Sequence, residues 1–303
     1  MTLVDSYGRL HRDLRVSLTD RCNLRCTYCM PHDFAAWLPS DDLLTTDELM
    51  RVLEVAIGLG IDEVRLTGGE PLLRPDIVDI VARITALPDA PRLSLTTNGI
   101  RLAALAQPLK DAGLERVNVS LDTLVPERFA SMTFRDRFHD VMKGLKSARD
   151  AGLSPVKINT VLLPGVNDDE APALLQWAID IFAQLDPLFG LTPVPGRGSA
   201  PAEEFLVDGG PHTVGIIASV TRPFCGACDR LRLTADGQLR SCLFARGETD
   251  LRTVMRDAAL DATQVRAELA ARFATTVAGK LAGHGIDDPS FIQPDRPMSA
   301  IGG

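Results

Sequence analysis

In the first half of the chain, apolar and polar side chains alternate with a period of two in five short segments. They are LRVSLT at 14 to 19, EVRLTG at 63 to 68, RLSLTTN at 92 to 98, RVNVSLD at 116 to 122 and VKINTVL at 156 to 162. That period marks strands whose two faces meet different surroundings. Between them the apolar spacing lengthens to three and four. Thr45 and Glu48 have capping-box spacing at the head of a helix running toward Gly58, and Ile77, Ile80, Val81 and Ile84 form a stripe that ends before Pro88. Leu102 to Gly113 and Phe138 to Gly152 repeat the helical pattern. Strand and helix in alternation predict an α/β fold with a parallel sheet, curled into a full or partial β/α barrel.

The parity of the strands is more informative than their number. One face carries Leu14, Val16, Leu18, Val64, Leu66, Leu93, Leu95, Val117, Val119, Leu121, Val156 and Ile158, the set expected against helices. The other carries Arg15, Ser17, Arg65, Thr67, Ser94, Thr96, Asn118, Ser120, Asp122, Lys157 and Asn159. A closed eight-stranded barrel fills its interior with branched apolar side chains, so a polar, basic inner face predicts an open barrel whose lumen takes a ligand. A solvated sheet face is the alternative, disfavoured because parallel sheets are seldom bare on one side.

The alternation then breaks. Residues 168 to 185 read as one helix, and a Pro/Gly-rich stretch (TPVPGRGSAPAEE) stands where a sixth strand was due. The predicted organisation is a partial β/α barrel over 1–190, a linker over 191–213 and a carboxy-terminal region over 214–303. Within the last, VGIIASV at 214 to 220 reads as a strand and LRLTADGQLRSCL at 231 to 243 as a hairpin turning at Asp236 and Gly237. Helices follow at about 250 to 257 and 261 to 281, before a tail ending in Gly302 and Gly303.

Composition narrows the function. With 45% hydrophobic and 24% charged residues in 303, the chain is globular, and it has no apolar run near the roughly 20 residues of a membrane span. Charges interrupt the amino terminus where a signal peptide would be apolar, so a cytoplasmic location is expected. A net charge of −8 argues against nucleic acid and anionic membranes as partners, leaving a small ligand in a local basic pocket.

Six cysteines fall into two trios, a pattern that points to metal or redox chemistry over a disulfide framework. Cys22, Cys26 and Cys29 follow the first strand with the spacing C-x-x-x-C-x-x-C, at the end of the sheet where parallel folds place their chemistry. Three thiolates on a four-iron cluster leave one iron open to a ligand; zinc and unliganded thiols are the alternatives. Cys225, Cys228 and Cys242 form the second trio, which has no nearby histidine to complete a zinc site. Arg230 and Arg232 follow its first pair on one side of a strand, suited to bidentate phosphate binding unless they are surface side chains.

The cysteine loop with TGGEP at 67 to 71 resembles the radical S-adenosylmethionine (SAM) superfamily. Joined to LTTNG, RVNVSLD, VKINTVLLPGVND and FCGACDRLRLTADGQLRSCLF, it resembles the molybdenum cofactor biosynthesis protein A family, the GTP 3′,8-cyclases. The resemblance implies a radical SAM open barrel that carries two 4Fe-4S clusters, one on each trio. The first cluster cleaves S-adenosylmethionine to an adenosyl radical. That radical takes the ribose 3′ hydrogen of GTP, whose carbon then attacks carbon 8 of guanine, in the first step of molybdopterin synthesis. Tyr28, Gly69 and Ser120 would contact S-adenosylmethionine, and Arg15, Arg65, Thr96, Lys157, Arg230 and Arg232 would contact GTP. The Gly-Gly tail would reach the active site. Also implied are an electron donor, a downstream cyclic pyranopterin monophosphate synthase and a homodimer. The chain departs from the family where an internal deletion near Asp180 removes the sixth barrel strand. Competing readings are a peptide-modifying radical SAM enzyme with an auxiliary cluster, or an inactive metal-binding derivative.

Overall fold

The computed structural model describes residues 2–30, 36–182, 191–199, 201–217, 224–285 and 291–302. Five parallel strands are laid down in chain order: β1 (Asp13–Ser17), β2 (Glu63–Thr67), β3 (Arg92–Thr97), β4 (Arg116–Ser120) and β5 (Val156–Asn159). Helices α1 (Thr46–Gly58), α2 (Ile77–Thr85), α3 (Leu102–Asp111), α4 (Pro126–Thr133) and α5 (Phe138–Asp150) connect them, and α6 (Ala171–Phe182) follows β5. The predicted capping box closes on α1: the Thr45 hydroxyl accepts from the Glu48 N–H, and the Glu48 carboxylate accepts from the Thr45 N–H. α4 has no counterpart in the pattern, because eight residues opened by a proline carry too few apolar positions to show a period.

The apolar parity packs against these helices. Leu14, Val16, Leu66, Val117 and Val119 are fully buried, facing Val52, Ile80, Leu109 and Val141. Each such side chain contributes roughly 1.5–3 kcal/mol. On β5 the alternation is weaker, since Val156 and Ile158 are only half buried while Lys157 and Asn159 are exposed. Among the described residues no further strand pairs with β5, which leaves it as the edge of the sheet.

The other edge is extended by the carboxy-terminal region. β9 (Arg230–Leu233) runs parallel to β1, followed by antiparallel β10 (Gln238–Arg240) and β11 (Thr249–Asp250), so the eight-stranded order is β11-β10-β9-β1-β2-β3-β4-β5. The hairpin between β9 and β10 turns at Asp236 and Gly237, as expected. α7 (Arg252–Met255) and α8 (Ala262–Ala278) cover this extension, and α9 (Met298–Ile301) ends it. The stretch read as a linker contains β6 (Leu191–Pro193) and β7 (Glu203–Val207), which with β8 (Thr213–Ile216) form a separate antiparallel sheet. Its glycines and prolines serve turns between short strands. The remainder of the strand expected at 214 to 220 reaches outside the described residues.

α3 and α5 meet at Gly144, where an added Cβ would stand 2.2 Å from the Gly99 carbonyl oxygen. Overpacking of this kind costs about 1–3 kcal/mol. Gly144→Ala is expected to lower the urea midpoint accordingly; an unchanged midpoint would mean the helices separate freely.

Candidate active site inside the open barrel

The cysteine loop leaves β1 and is stitched to the turns after β2 and β3. The Gly69 N–H donates to the Thr19 carbonyl and the Glu70 N–H to the Arg21 carbonyl, each at 2.7 Å. A Cβ on Gly68 would lie 2.5 Å from the Thr19 oxygen, and one on Gly69 would lie 2.3 Å from the Asp20 oxygen. The paired glycines therefore admit the backbone of the cysteine loop itself. Arg74, further along the same motif, donates to the Leu18 carbonyl at 3.0 Å. Buried Glu70 accepts from the Leu72 N–H, the Thr97 hydroxyl and the Asn98 N–H at 2.9, 2.7 and 2.7 Å. The Asn98 amide in turn reaches Asn23 at 2.7 Å and the Cys22 sulfur at 3.9 Å. Burial raises Glu70 to about 7 while its three donors pull the other way.

None of the six cysteines is in a disulfide. Burial pushes Cys22 up to about 12 and Cys29 up to about 11, and Cys26 rises for the same reason, helped by Asp122 and the neighbouring thiols. Bare thiols here stay protonated at neutral pH, so only a bound metal would make them thiolates. Donors for such thiolates are in place: the Leu24 N–H on Cys22 at 3.4 Å and the Ser299 backbone on Cys29. Among the described residues no three His, Cys, Asp or Glu side chains converge closely enough to hold one ion. Three thiols on one loop, with peptide N–H groups aimed at two of their sulfurs, form a donor set that fits an iron–sulfur cluster. Tyr28 lies in this loop with its hydroxyl donating to Asp122 at 2.8 Å, at the end of β4.

Below the loop lies a row of arginines. Sheet register places Arg15 opposite Arg65 on one side and Arg232 on the other, with Asp13 opposite Arg230. Asp13 lies 4.0 Å from Arg15 and 3.6 Å from Arg230, while Glu63 is shared by Arg65, Arg92 and Arg116 at 3.5, 3.3 and 2.6 Å. Guanidiniums outnumber carboxylates in a buried space. Burial and its arginine neighbours hold Arg15 well below the usual range, and burial lowers Arg232 to about 10. Buried Arg15 Nε and Thr67 Oγ1 have no hydrogen-bond partner. Crowded cations with orphaned donors are what an anion site looks like without its anion.

One row nearer the cysteine loop, Thr96 stands opposite Asn118 and Asn118 opposite Lys157, with an Asn118-to-Thr96 hydrogen bond of 3.2 Å. Ser120 is one step further. Arg15, Arg65, Arg230 and Arg232 are thus brought together, Thr96 and Ser120 line the same face, and Lys157 stands exposed on the edge strand.

The register also separates the two trios. Cys22 follows the end of β1, whereas Cys228 precedes the start of β9, which is aligned with the start of β1. Cys242 follows β10, which runs the opposite way, and so returns to the same end as Cys228. The trios flank the arginine row from opposite ends of a strand that rises about 3.3 Å per residue, roughly 13 Å from Asp13 to Ser17. The tail enters between them. The Arg232 guanidinium donates to the Gly302 carbonyl, and a Cβ on Gly302 would lie 2.7 Å from Thr67 Oγ1. Arg296 anchors the tail through a bidentate pair with Asp236 at 2.9 and 2.7 Å. Gly303 lies outside the described residues.

Residues 16–178 match the radical SAM superfamily and residues 173–286 match Molybdenum Cofactor Synthesis C. The chain is 57% identical to GTP 3′,8-cyclase of Streptomyces coelicolor, over 99% of this chain and 96% of that one. The chain belongs to the GTP 3′,8-cyclase family of radical SAM proteins. GTP 3′,8-cyclase of Mycolicibacterium smegmatis is 50% identical over 99% of this chain and 92% of its own length. GTP 3′,8-cyclase 2 of Mycobacterium tuberculosis is 49% identical over the same shares. The alignment to the Streptomyces cyclase spans 333 positions against 303 residues here, so at least 30 of its positions have no counterpart in this member of the cyclase family.

Sequence reasoning missed Glu70 as a support, Asp122 as the partner of Tyr28, and Arg9 and Lys280 beside the second trio. Single charged residues in loops or at a helix end give no periodic signal, and only the fold shows them to be buried. Glu70 yields a pH test. Its folded value near 7 exceeds the ordinary 4.5, so the folded state binds the extra proton and stability falls as pH rises from 4.5 to 7. The fall is about 3 kcal/mol. Glu70→Gln should flatten urea midpoints over this window; an equal slope in both proteins would place the dependence elsewhere.

Proposed function

We propose that this chain is a GTP 3′,8-cyclase that converts GTP to (8S)-3′,8-cyclo-7,8-dihydroguanosine 5′-triphosphate in molybdenum cofactor biosynthesis. The observation that carries the reading is the arginine row set between two cysteine trios, since a phosphate clamp at that place has no use for a peptide substrate. Cys22, Cys26 and Cys29 hold the 4Fe-4S cluster that binds S-adenosylmethionine, and Cys225, Cys228 and Cys242 hold a second, so that 1–190 generates the radical and 214–303 presents the substrate. Together the cluster and S-adenosylmethionine supply the radical that removes the ribose 3′ hydrogen.

The chain's own residues bind and orient. Arg15, Arg65, Arg230 and Arg232 take the phosphates, with charge-assisted hydrogen bonds worth about 1.5–3 kcal/mol each. Thr96 and Lys157 extend that contact toward the open edge. Tyr28, fixed by Asp122, covers the adenine, while Gly69 contacts the methionine portion and Ser120 is a further contact to S-adenosylmethionine. The inserted tail excludes water and shares Arg232 with the substrate. An external electron donor, a homodimer and a downstream cyclic pyranopterin monophosphate synthase complete the reading.

Anaerobic reconstitution should yield about eight iron and eight sulfide per chain. With reductant and S-adenosylmethionine, 5′-deoxyadenosine should form with GTP, and its formation only when a peptide is supplied would reject the reading. Cys22→Ala should abolish it. Arg230→Ala or Arg232→Ala should weaken GTP binding roughly tenfold to a hundredfold, with iron content unchanged.

A further inference from the structure

Two buried cations converge on the second cysteine trio, and they are built differently. Arg9, from the amino-terminal hairpin, pairs with Asp5 at 2.6 Å and donates to the carbonyls of Cys225, Leu281 and Ala282 at 2.6, 2.7 and 3.1 Å. Its charge has a counter-ion, and its donors fix backbone. Lys280 follows the cap of α8, where a lysine ordinarily reaches into water and complements the helix dipole. Here it turns inward and is 4% exposed. Its ammonium donates to the Arg230 carbonyl at 2.7 Å and to the Cys228 sulfur at 3.6 Å. Among the described residues no carboxylate forms an ion pair with it; Cys228 and Cys242 are the groups whose negative charge would favour it. A buried ammonium without a carboxylate is costly unless another anion stands beside it. Thiolates holding a cluster are that anion.

We propose that Lys280 is a positioning residue of the second cluster: its ammonium, hydrogen-bonded to the Cys228 sulfur, neutralises thiolate charge and raises the cluster's reduction potential. The inference rests on the assignment of the second trio to a cluster. Hydrogen bonds and positive charge at ligating sulfurs stabilise the reduced, more negative state. The Arg230 carbonyl held by the same ammonium ties this setting to the first guanidinium of the phosphate clamp.

The test is an EPR-monitored redox titration of the reconstituted full chain, in which the amino-terminal cluster, identified by its response to S-adenosylmethionine, is the internal reference. Lys280→Met should leave eight iron but lower the second cluster's potential by at least a factor of ten in its reduction equilibrium, about 59 mV for one electron. Lys280→Arg should stay near the unaltered protein, and the reference cluster should not move. Should Lys280→Met lose four iron while Lys280→Arg keeps them, the charge is supporting assembly, which also upholds the role. Loss in both variants, or an unchanged potential in Lys280→Met at full iron, overturns it. Only four iron in the unaltered chain would overturn the second-cluster assignment itself, a result separable from the variants' behaviour.

Discussion

The parallel pairing of β1 with β9 is the constraint from which the site follows. It brings residues more than 200 positions apart into one register, so that Arg232 stands beside Arg15 and Asp13 beside Arg230. Shifted by one residue, the pairing would turn Arg230 and Arg232 to the apolar face and put Leu231 and Leu233 into the lumen. Both leucines are fully buried, so the hydrophobic cost of such a slip is several kcal/mol, and the register is held by ordinary packing. The same pairing decides that the second trio faces the first from the opposite end of the sheet.

Holding several guanidiniums in one buried space opposes folding. Arg15 and Arg232 both sit below their ordinary range, chiefly because burial disfavours the charged form and further because other arginines stand nearby. The fold relieves part of this opposition with Asp13 and Glu63, part with the Phe224 ring under Arg230 at 4.6 Å, and part with the Gly302 carbonyl on Arg232. At Arg232 the partner is a neutral carbonyl of the inserted tail, so the guanidinium's charge is hydrogen-bonded but not neutralised there.

How much of this was legible in the sequence depended on periodicity. The five strands, their two faces and the hairpin at Asp236 and Gly237 were readable because burial on one side imposes alternation over several residues. The lumen arginines were readable for the same reason, as polar positions inside an alternating run. Glu70 and Lys280 were hidden, because each is one charged residue whose burial comes from elements distant in sequence, and of Asp122 only its place on the polar face was readable, not its bond to Tyr28. The stretch of 191 to 213 misled in the other direction: prolines and glycines signalled a linker, whereas most of them sit in turns between short strands and Pro193 ends β6. The role of Gly68 and Gly69 was half visible: TGGEP stood out as a motif, but the neighbour that demands glycine there, the backbone of the cysteine loop, is shown only by the fold.

The open β5 edge bears on this site unevenly. Strands stand about 4.8 Å apart, so β5 lies roughly 19 Å across the sheet from β1, where the arginines and both cysteine-bearing connections gather. Among the described residues no strand pairs with the outer side of β5, and Lys157, Asn159, Val161 and Leu162 are exposed there. Tyr28 is nevertheless fixed by Asp122, which also accepts from the Val161 N–H at 2.9 Å, and Asn167 spans the Asp122 and Val161 carbonyls at 2.6 and 2.9 Å. The loop after β5 is thus braced from within, by Asp122 just past β4 and Asn167 ahead of α6. The arginine row and the cysteine loop stand on supports of their own, fixed by the pairing of β1 with β2 and β9 and by the turn after β2, away from the β5 edge.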